Sequence, residues 1–176
     1  YLRIEQERGG YEAMLQKAKH HQSFYTTIAK MMHCEARNIA FTTSATDAFS
    51  KALSAIPFEK GDVIVTTDDD YVSNQMAFLL LEKRFGVKLV RAACQERGGV
   101  SVSSVAALIQ KHQPKLVAVT HIPTNSGLIQ PVNEIGELCA KFNIWYIVDA
   151  CQSVGQMDVD VRSVKCDFLA ATFRKF

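Results

Sequence analysis

The chain has 176 residues, 48% of them hydrophobic and 22% charged, with a formal net charge of +2. That length supports one domain with a sizeable core, and the interspersed charges form no basic run and no aromatic–basic interleaving, which argues against nucleic acid as a partner. No apolar stretch approaches the roughly 20 residues that span a bilayer, the charged start from Tyr1 to Gly10 carries no visible signal peptide, and five cysteines without paired metal spacing suit reduced thiols in a cytoplasmic compartment.

Strand-like and helix-like segments alternate along the chain. Residues 1–35 read as a helical segment, with Gly9-Gly10 breaking it before a helix from Tyr11 to Met32. Asn38 to Thr43 reads as a short apolar strand, followed by a helix from Thr46 to Ile56. Lys60-Gly61 introduces a strand, Asp62 to Thr67, and Ser73 to Phe85 has helical periodicity ending before Gly86. Val87 to Ala92 is the next strand, Ser103 to His112 a helix, and Leu116 to Thr120 a buried strand after Pro114. A helix from Pro131 to Phe142 starts on proline, whose missing N–H is not needed there. Ile144 to Asp149 and Phe168 to Thr172 complete the strands. Continuous Val/Ile/Leu strands between helices predict a three-layer α/β/α fold with a mostly parallel central sheet.

In such sheets ligands bind beyond the carboxyl ends of the strands, and the polar clusters fall there. Thr43-Ser44-Ala45-Thr46 joins a strand to a helix, so its backbone N–H groups and the helix dipole suit a phosphate, although N-capping by Ser44 or Thr46 explains the same residues. Neither Gly-x-Gly-x-x-Gly nor Gly-x-x-x-x-Gly-Lys occurs, which argues against dinucleotides and P-loop nucleotides. Asp149 ends an apolar run, where a carboxylate is costly unless a cation or donors meet it. A pyridinium nitrogen is such a cation; a structural acid capping the next turn is the alternative. Gln152 follows three residues later, His121 ends the strand from Leu116, and Tyr71 follows three aspartates. Each alone also reads as a surface or packing residue. Lys175 comes after the last strand, where its amine suits a Schiff base with the aldehyde of pyridoxal phosphate (PLP). A chain-end surface lysine is its ordinary reading.

Taken together these residues resemble the class V aminotransferases, fold type I PLP enzymes that include the cysteine desulfurases. The matching stretches are Ala40 to Ala48, Gly61 to Val65, Tyr71 to Asn74, Thr120 to Gly127, Pro131, Val148 to Gly155, and Cys166-Asp167-Phe168 through Arg174-Lys175-Phe176. The resemblance implies that Lys175 holds the cofactor and shuttles protons. It implies that Asp149 pairs with the ring nitrogen and that Gln152 contacts the phenolic oxygen. Ala45 and Thr46 bind phosphate at the helix start, with Thr172 and Arg174 as further phosphate ligands. By the same resemblance Tyr71 occupies the position of the ring-stacking residue and Thr124 that of an asparagine beside the cofactor, while the place of His121 at a strand end suits orienting the cofactor or transferring protons. The resemblance also implies that the substrate is an amino acid, a small molecule, and that the full-length protein is a homodimer. By the same resemblance, residues 36–176 are the cofactor-binding core of a large domain whose remainder, with a small C-terminal domain, lies outside this chain.

Two departures bear on the branch. Tyr71 stands where desulfurases have histidine, and Pro123-Thr124-Asn125-Ser126-Gly127 replaces an asparagine-rich loop, features more like the epimerase-like and C–S-lyase-like branches. None of the five cysteines matches the desulfurase nucleophile. A catalytically silent module with the same fold is the competing expectation, and an unrelated α/β nucleotide-binding protein a third.

Overall fold

The computed structural model describes residues 1–175. They divide into two compact units, Tyr1–Ala40 and the chain from Phe41 onward. The first unit holds helices α1 (Leu2–Arg8), α2 (Gly10–Gln16) and α3 (Ala18–Met31), then a 3-10 turn at Ala36–Asn38. Gly9 separates α1 from α2 at φ 95°, a conformation that favours glycine. The helix expected over Tyr11 to Met32 is divided at Lys17, where φ −102° and ψ 8° interrupt the helical path.

The strand expected over Asn38 to Thr43 does not form. Asn38 and Ile39 donate their N–H groups back to Glu35 and Ala36, closing a turn. Among the described residues no ladder reaches this segment. A short apolar run has strand periodicity, but only a hydrogen-bonded neighbour makes it a strand.

The second unit begins with α4 (Ala45–Ser54) and continues β1 (Val63–Thr66), α5 (Val72–Phe85), β2 (Lys88–Arg91), α6 (Val102–His112) and β3 (Leu116–Thr120). It then runs through α7 (Val132–Phe142), β4 (Trp145–Asp149), the short α8 (Val161–Val164), β5 (Phe168–Ala170) and a last 3-10 turn at Phe173–Lys175. The five strands among the described residues pair in parallel, in the order β2-β1-β3-β4-β5. The parallel α/β fold expected from the alternation is therefore present. Pro131 caps α7 rather than opening it, and β5 ends at Ala170.

Alternation along the strands divides the core between two faces of the sheet. Ile64, Leu116, Ala118 and Ile147 pack with Phe49 and Leu53 of α4 and Phe78 of α5. Their neighbours in sequence, Val65, Val117, Val119, Tyr146 and Val148, are equally buried and point to the other face. There Tyr146 donates its hydroxyl to the Val132 carbonyl of α7 at 3.1 Å. Each fully buried large side chain contributes about 1.5–3 kcal/mol by leaving water. No helix among the described residues is long and apolar enough to cross a membrane.

Two details fix close approaches. Gly86 ends α5 in the left-handed conformation, φ 69°. A Cβ on Gly136 of α7 would sit 1.9 Å from the Val164 carbonyl oxygen, so only glycine lets α7 and α8 meet there.

Candidate active site

From β1 the chain leaves to β2 on one side, and β3 then takes the other side of β1. Connections that diverge in this way leave a crevice beyond the carboxyl ends of the strands. Parallel register places Thr120 of β3 level with Asp149 of β4, and Asp149 level with Ala170 of β5. Loops leaving these strand ends, together with the starts of α4 and α5, enclose a cleft of about 110 Å³.

One part of its wall is the start of α4. Ser44 is the N-cap, accepting the Asp47 N–H at 3.1 Å, so the capping explanation of this motif is satisfied. Capping uses the Asp47 donor and leaves the leading N–H groups of Ala45 and Thr46, which no helical carbonyl can reach. Both residues line the cleft. Asp47 itself turns to Lys51 and to Thr43, at 2.7 and 3.0 Å, and these bonds hold its carboxyl below the usual range.

Asp149 is buried and enters the cleft from the end of β4. Its Oδ1 accepts the Cys151 N–H at 3.0 Å and its Oδ2 accepts Asn74 Nδ2 at 2.9 Å. Asn74, also buried, passes a second hydrogen to Asp70 Oδ1 at 3.0 Å. Asp70 further accepts from Tyr71 N at 2.7 Å, from Gln75 Nε2 at 3.0 Å and from the Thr120 hydroxyl. Burial pushes the Asp70 carboxyl up, against the pull of these donors. Burial and the Asp149 carboxylate likewise push the cleft-lining Cys151 thiol far up, so it stays protonated and a poor nucleophile.

The remaining walls bring in Tyr71, Thr124, Gln152, Thr172, Arg174 and Lys175. Gln152 Nε2 donates to Thr124 Oγ1 at 3.1 Å, tying the loop after β4 to the loop after β3. The Lys175 carbonyl accepts Gln156 Nε2 at 2.5 Å, which anchors the final turn to the loop after β4. Lys175 is half-buried and Arg174 exposed.

His121 is the one expected site residue that the structure does not bring to this cleft. His121 instead lines a separate cavity with Gln130, Val132 and Val164. His121 Nδ1 lies 2.9 Å from Ser153 Oγ, and Ser153 gives its own proton to the Ala150 carbonyl at 3.2 Å. A Ser153 proton directed at that carbonyl is compatible with an imidazole proton on Nδ1. Burial pushes the His121 pKa down, keeping the ring neutral.

The sequence reading gave no role to two residues that line the cleft, Ser73 and Asn74, or to Asp70, which lies behind Asn74. The hydroxyl of Ser73 is buried, lines the cleft, and has no hydrogen-bond partner. A buried polar atom without a partner costs about 1–3 kcal/mol. A polar group brought to this hydroxyl would relieve that cost. The only sequence signal was the i, i+4 spacing of Asp70 and Asn74 across the start of a helix. Among the described residues no group of three or more His, Cys, Asp or Glu is placed to hold a metal ion.

Comparison with known proteins follows the same pattern. A probable cysteine desulfurase of Methanothermobacter thermautotrophicus is 32% identical over 93% of this chain. The apo structure of a cysteine desulfurase from Thermococcus onnurineus superposes with a TM-score of 0.82 at 30% identity, over 89% of this chain. In both cases the chain spans 40% of the relative's own length. A C-DES mutant with glycine covalently linked to its PLP cofactor shares the fold, with a TM-score of 0.85 at 21% identity, over 96% of this chain and 46% of its own. The family model described as Aminotransferase class-V matches residues 4–176. Fold, relatives and family model agree, and the chain belongs to the class-V aminotransferase family.

Proposed function

We propose that this chain is the cofactor-binding part of a PLP-dependent enzyme acting on an amino acid. The observation that carries the reading is the meeting, in one cleft, of a helix start, a buried acid and a lysine that lie far apart in sequence. The buried Ser73 hydroxyl, which lacks a partner, supports a polar occupant. When bound, pyridoxal phosphate supplies an aldehyde that condenses with amines and a pyridine ring that accepts charge from the substrate's α-carbon.

The roles of the residues follow from their chemistry. The N–H groups of Ala45 and Thr46 bind the phosphate, aided by the α4 dipole. Thr172 and Arg174 add a hydroxyl and a fixed positive charge. Asp149 keeps a proton on the ring nitrogen, because its buried carboxylate needs a cation to face. Gln152 orients the phenolic oxygen, held in place through Thr124. Tyr71, partly exposed at the rim, covers the ring face. Lys175 Nζ holds the cofactor and then moves the proton at the substrate's α-carbon.

Cys151 is not suited to persulfide chemistry, because its thiol is held protonated beside Asp149. The test is a PLP titration followed by absorbance. A visible band that saturates in the wild-type chain and is lost in Lys175→Ala supports the reading; its absence from the wild type refutes it.

A further inference from the structure

We infer that Asp70 is a positioning residue: it locks the Asn74 side-chain amide, and the locked amide holds the Asp149 carboxylate in place. The inference rests on the proposed function for its meaning and on hydrogen-bond geometry for its content.

Asn74 offers an NH₂ group on one side of its amide and a carbonyl oxygen on the other. A flip exchanges the two, and only the surroundings decide between them. Here Nδ2 lies 3.0 Å from Asp70 Oδ1 and 2.9 Å from Asp149 Oδ2. An ionised carboxylate only accepts, so both neighbours demand the NH₂ and reject the oxygen. Asn74 and Asp149 are 2% and 5% exposed, so water cannot substitute for either bond.

Asp70 is itself held by donors from several elements. Gln75 Nε2 and Thr66 Oγ1 reach its Oδ2 at 3.0 and 3.3 Å, and the Thr120 hydroxyl reaches Oδ1. Arg91 of β2 in turn donates to Gln75 Oε1 at 3.0 Å. The network runs from β2 across the β1–β3 crevice to the acid of β4. It converts the rigidity of the sheet into one orientation of Asp149. Asp70 touches Asn74, not the cleft's occupant, so it acts through another residue.

Replacing Asp70 with asparagine removes the constraint. The new amide can donate to Asn74 Oδ1, the Asn74 amide can turn, and its oxygen then faces the Asp149 carboxylate. The experiment is ¹⁵N NMR of the Asn74 side-chain amide, with a PLP titration alongside, in wild type, Asp70→Asn and Glu137→Gln. Glu137 is an exposed acid paired with Lys165, away from this network, and its variant controls for loss of one charge. In Asp70→Asn we expect the Asn74 amide protons to exchange with solvent about tenfold faster and PLP to bind about tenfold more weakly, equivalent to one hydrogen bond. Glu137→Gln leaves both unchanged. A milder variant, Gln75→Met, removes one anchor of Asp70 and is expected to speed exchange about two- to fivefold, a fraction of one hydrogen bond. Unchanged Asn74 exchange in both Asp70→Asn and Gln75→Met overturns the inference, as does unchanged PLP affinity once the amide is released. A wild-type chain that binds no PLP refutes the cofactor reading instead, and the exchange measurement, which needs no ligand, then decides the role of Asp70 alone.

Discussion

Replacing Asp149 with asparagine separates the cofactor role of this acid from its structural one. In the folded chain its two oxygens each take one donor, Cys151 N at 3.0 Å and Asn74 Nδ2 at 2.9 Å. Asparagine keeps one acceptor and turns an NH₂ toward one of those donors. Asn74 cannot flip to accommodate it without presenting its oxygen to Asp70. Losing one bond to a buried charged acceptor costs about 1.5–3 kcal/mol. Removing a buried charge offsets part of that cost, because an unpaired ion in the interior is itself unfavourable. A net loss of about 1–2 kcal/mol lowers the Tm by about 2–8 °C at this chain length. For the cofactor the arithmetic is harsher, since the pairing of carboxylate with ring cation disappears with nothing to replace it. A charge-assisted bond of about 1.5–3 kcal/mol corresponds to about a 10- to 150-fold weaker Kd. The assay pairs thermal unfolding of the apo chain with a PLP absorbance titration. Asp167→Asn is the control, because Asp167 accepts the Tyr146 N–H at 2.7 Å, also beside β4, but does not line the cleft. Loss of PLP affinity in Asp149→Asn that is under about threefold, well short of one charge-assisted bond, would refute the reasoning. So would an equal loss in Asp167→Asn.

The other expectations follow from single contacts. Ser73→Ala removes a buried hydroxyl without a partner, so the apo chain should be as stable or slightly more stable while PLP binds more weakly; titration and thermal melts together check this. Gly136→Ala drives a Cβ to within 1.9 Å of the Val164 carbonyl oxygen, and the overpacking should cost about 1–3 kcal/mol in a denaturant melt. The buried Cys139 thiol is pushed from 9.0 up to about 12, so at pH 8 alkylation should reach exposed Cys94 well before Cys139 or Cys151, as mass spectrometry would show. The same raised value carries a sign for stability. The folded chain keeps the Cys139 proton while the unfolded chain loses it, so this contribution is full below pH 9 and is lost as pH rises toward about 12.

The parallel sheet was legible because β1, β3 and β4 are continuous Val/Ile-rich runs between helices, a pattern that only a sheet buried on both faces tolerates. The apolar run around Ile39 misled for a related reason: periodicity reports what a strand would bury, not whether a neighbour exists to pair with it. Nothing in Gln16-Lys17-Ala18 breaks a helix by composition, so the interruption at Lys17 left no trace in the pattern. At the site, Asp149 and Lys175 were legible because each chemistry-bearing residue follows a strand, and strand ends converge in this fold. The Asp70–Asn74–Asp149 relay was not, since Asn74 and Asp149 are 75 residues apart and only strand order brings them together. His121 shows the reverse case. Its position after β3 was read correctly, but its ring pairs with Ser153, 32 residues on, and the residue lines another cavity.

The central claim is that this cleft holds PLP through Lys175. Its most direct test is to incubate the chain with PLP, reduce with borohydride, and map the modified peptide by mass spectrometry. The account predicts a phosphopyridoxyl label on Lys175, lost when Lys175 is replaced by alanine. A label on another lysine, or no label at all, would contradict it.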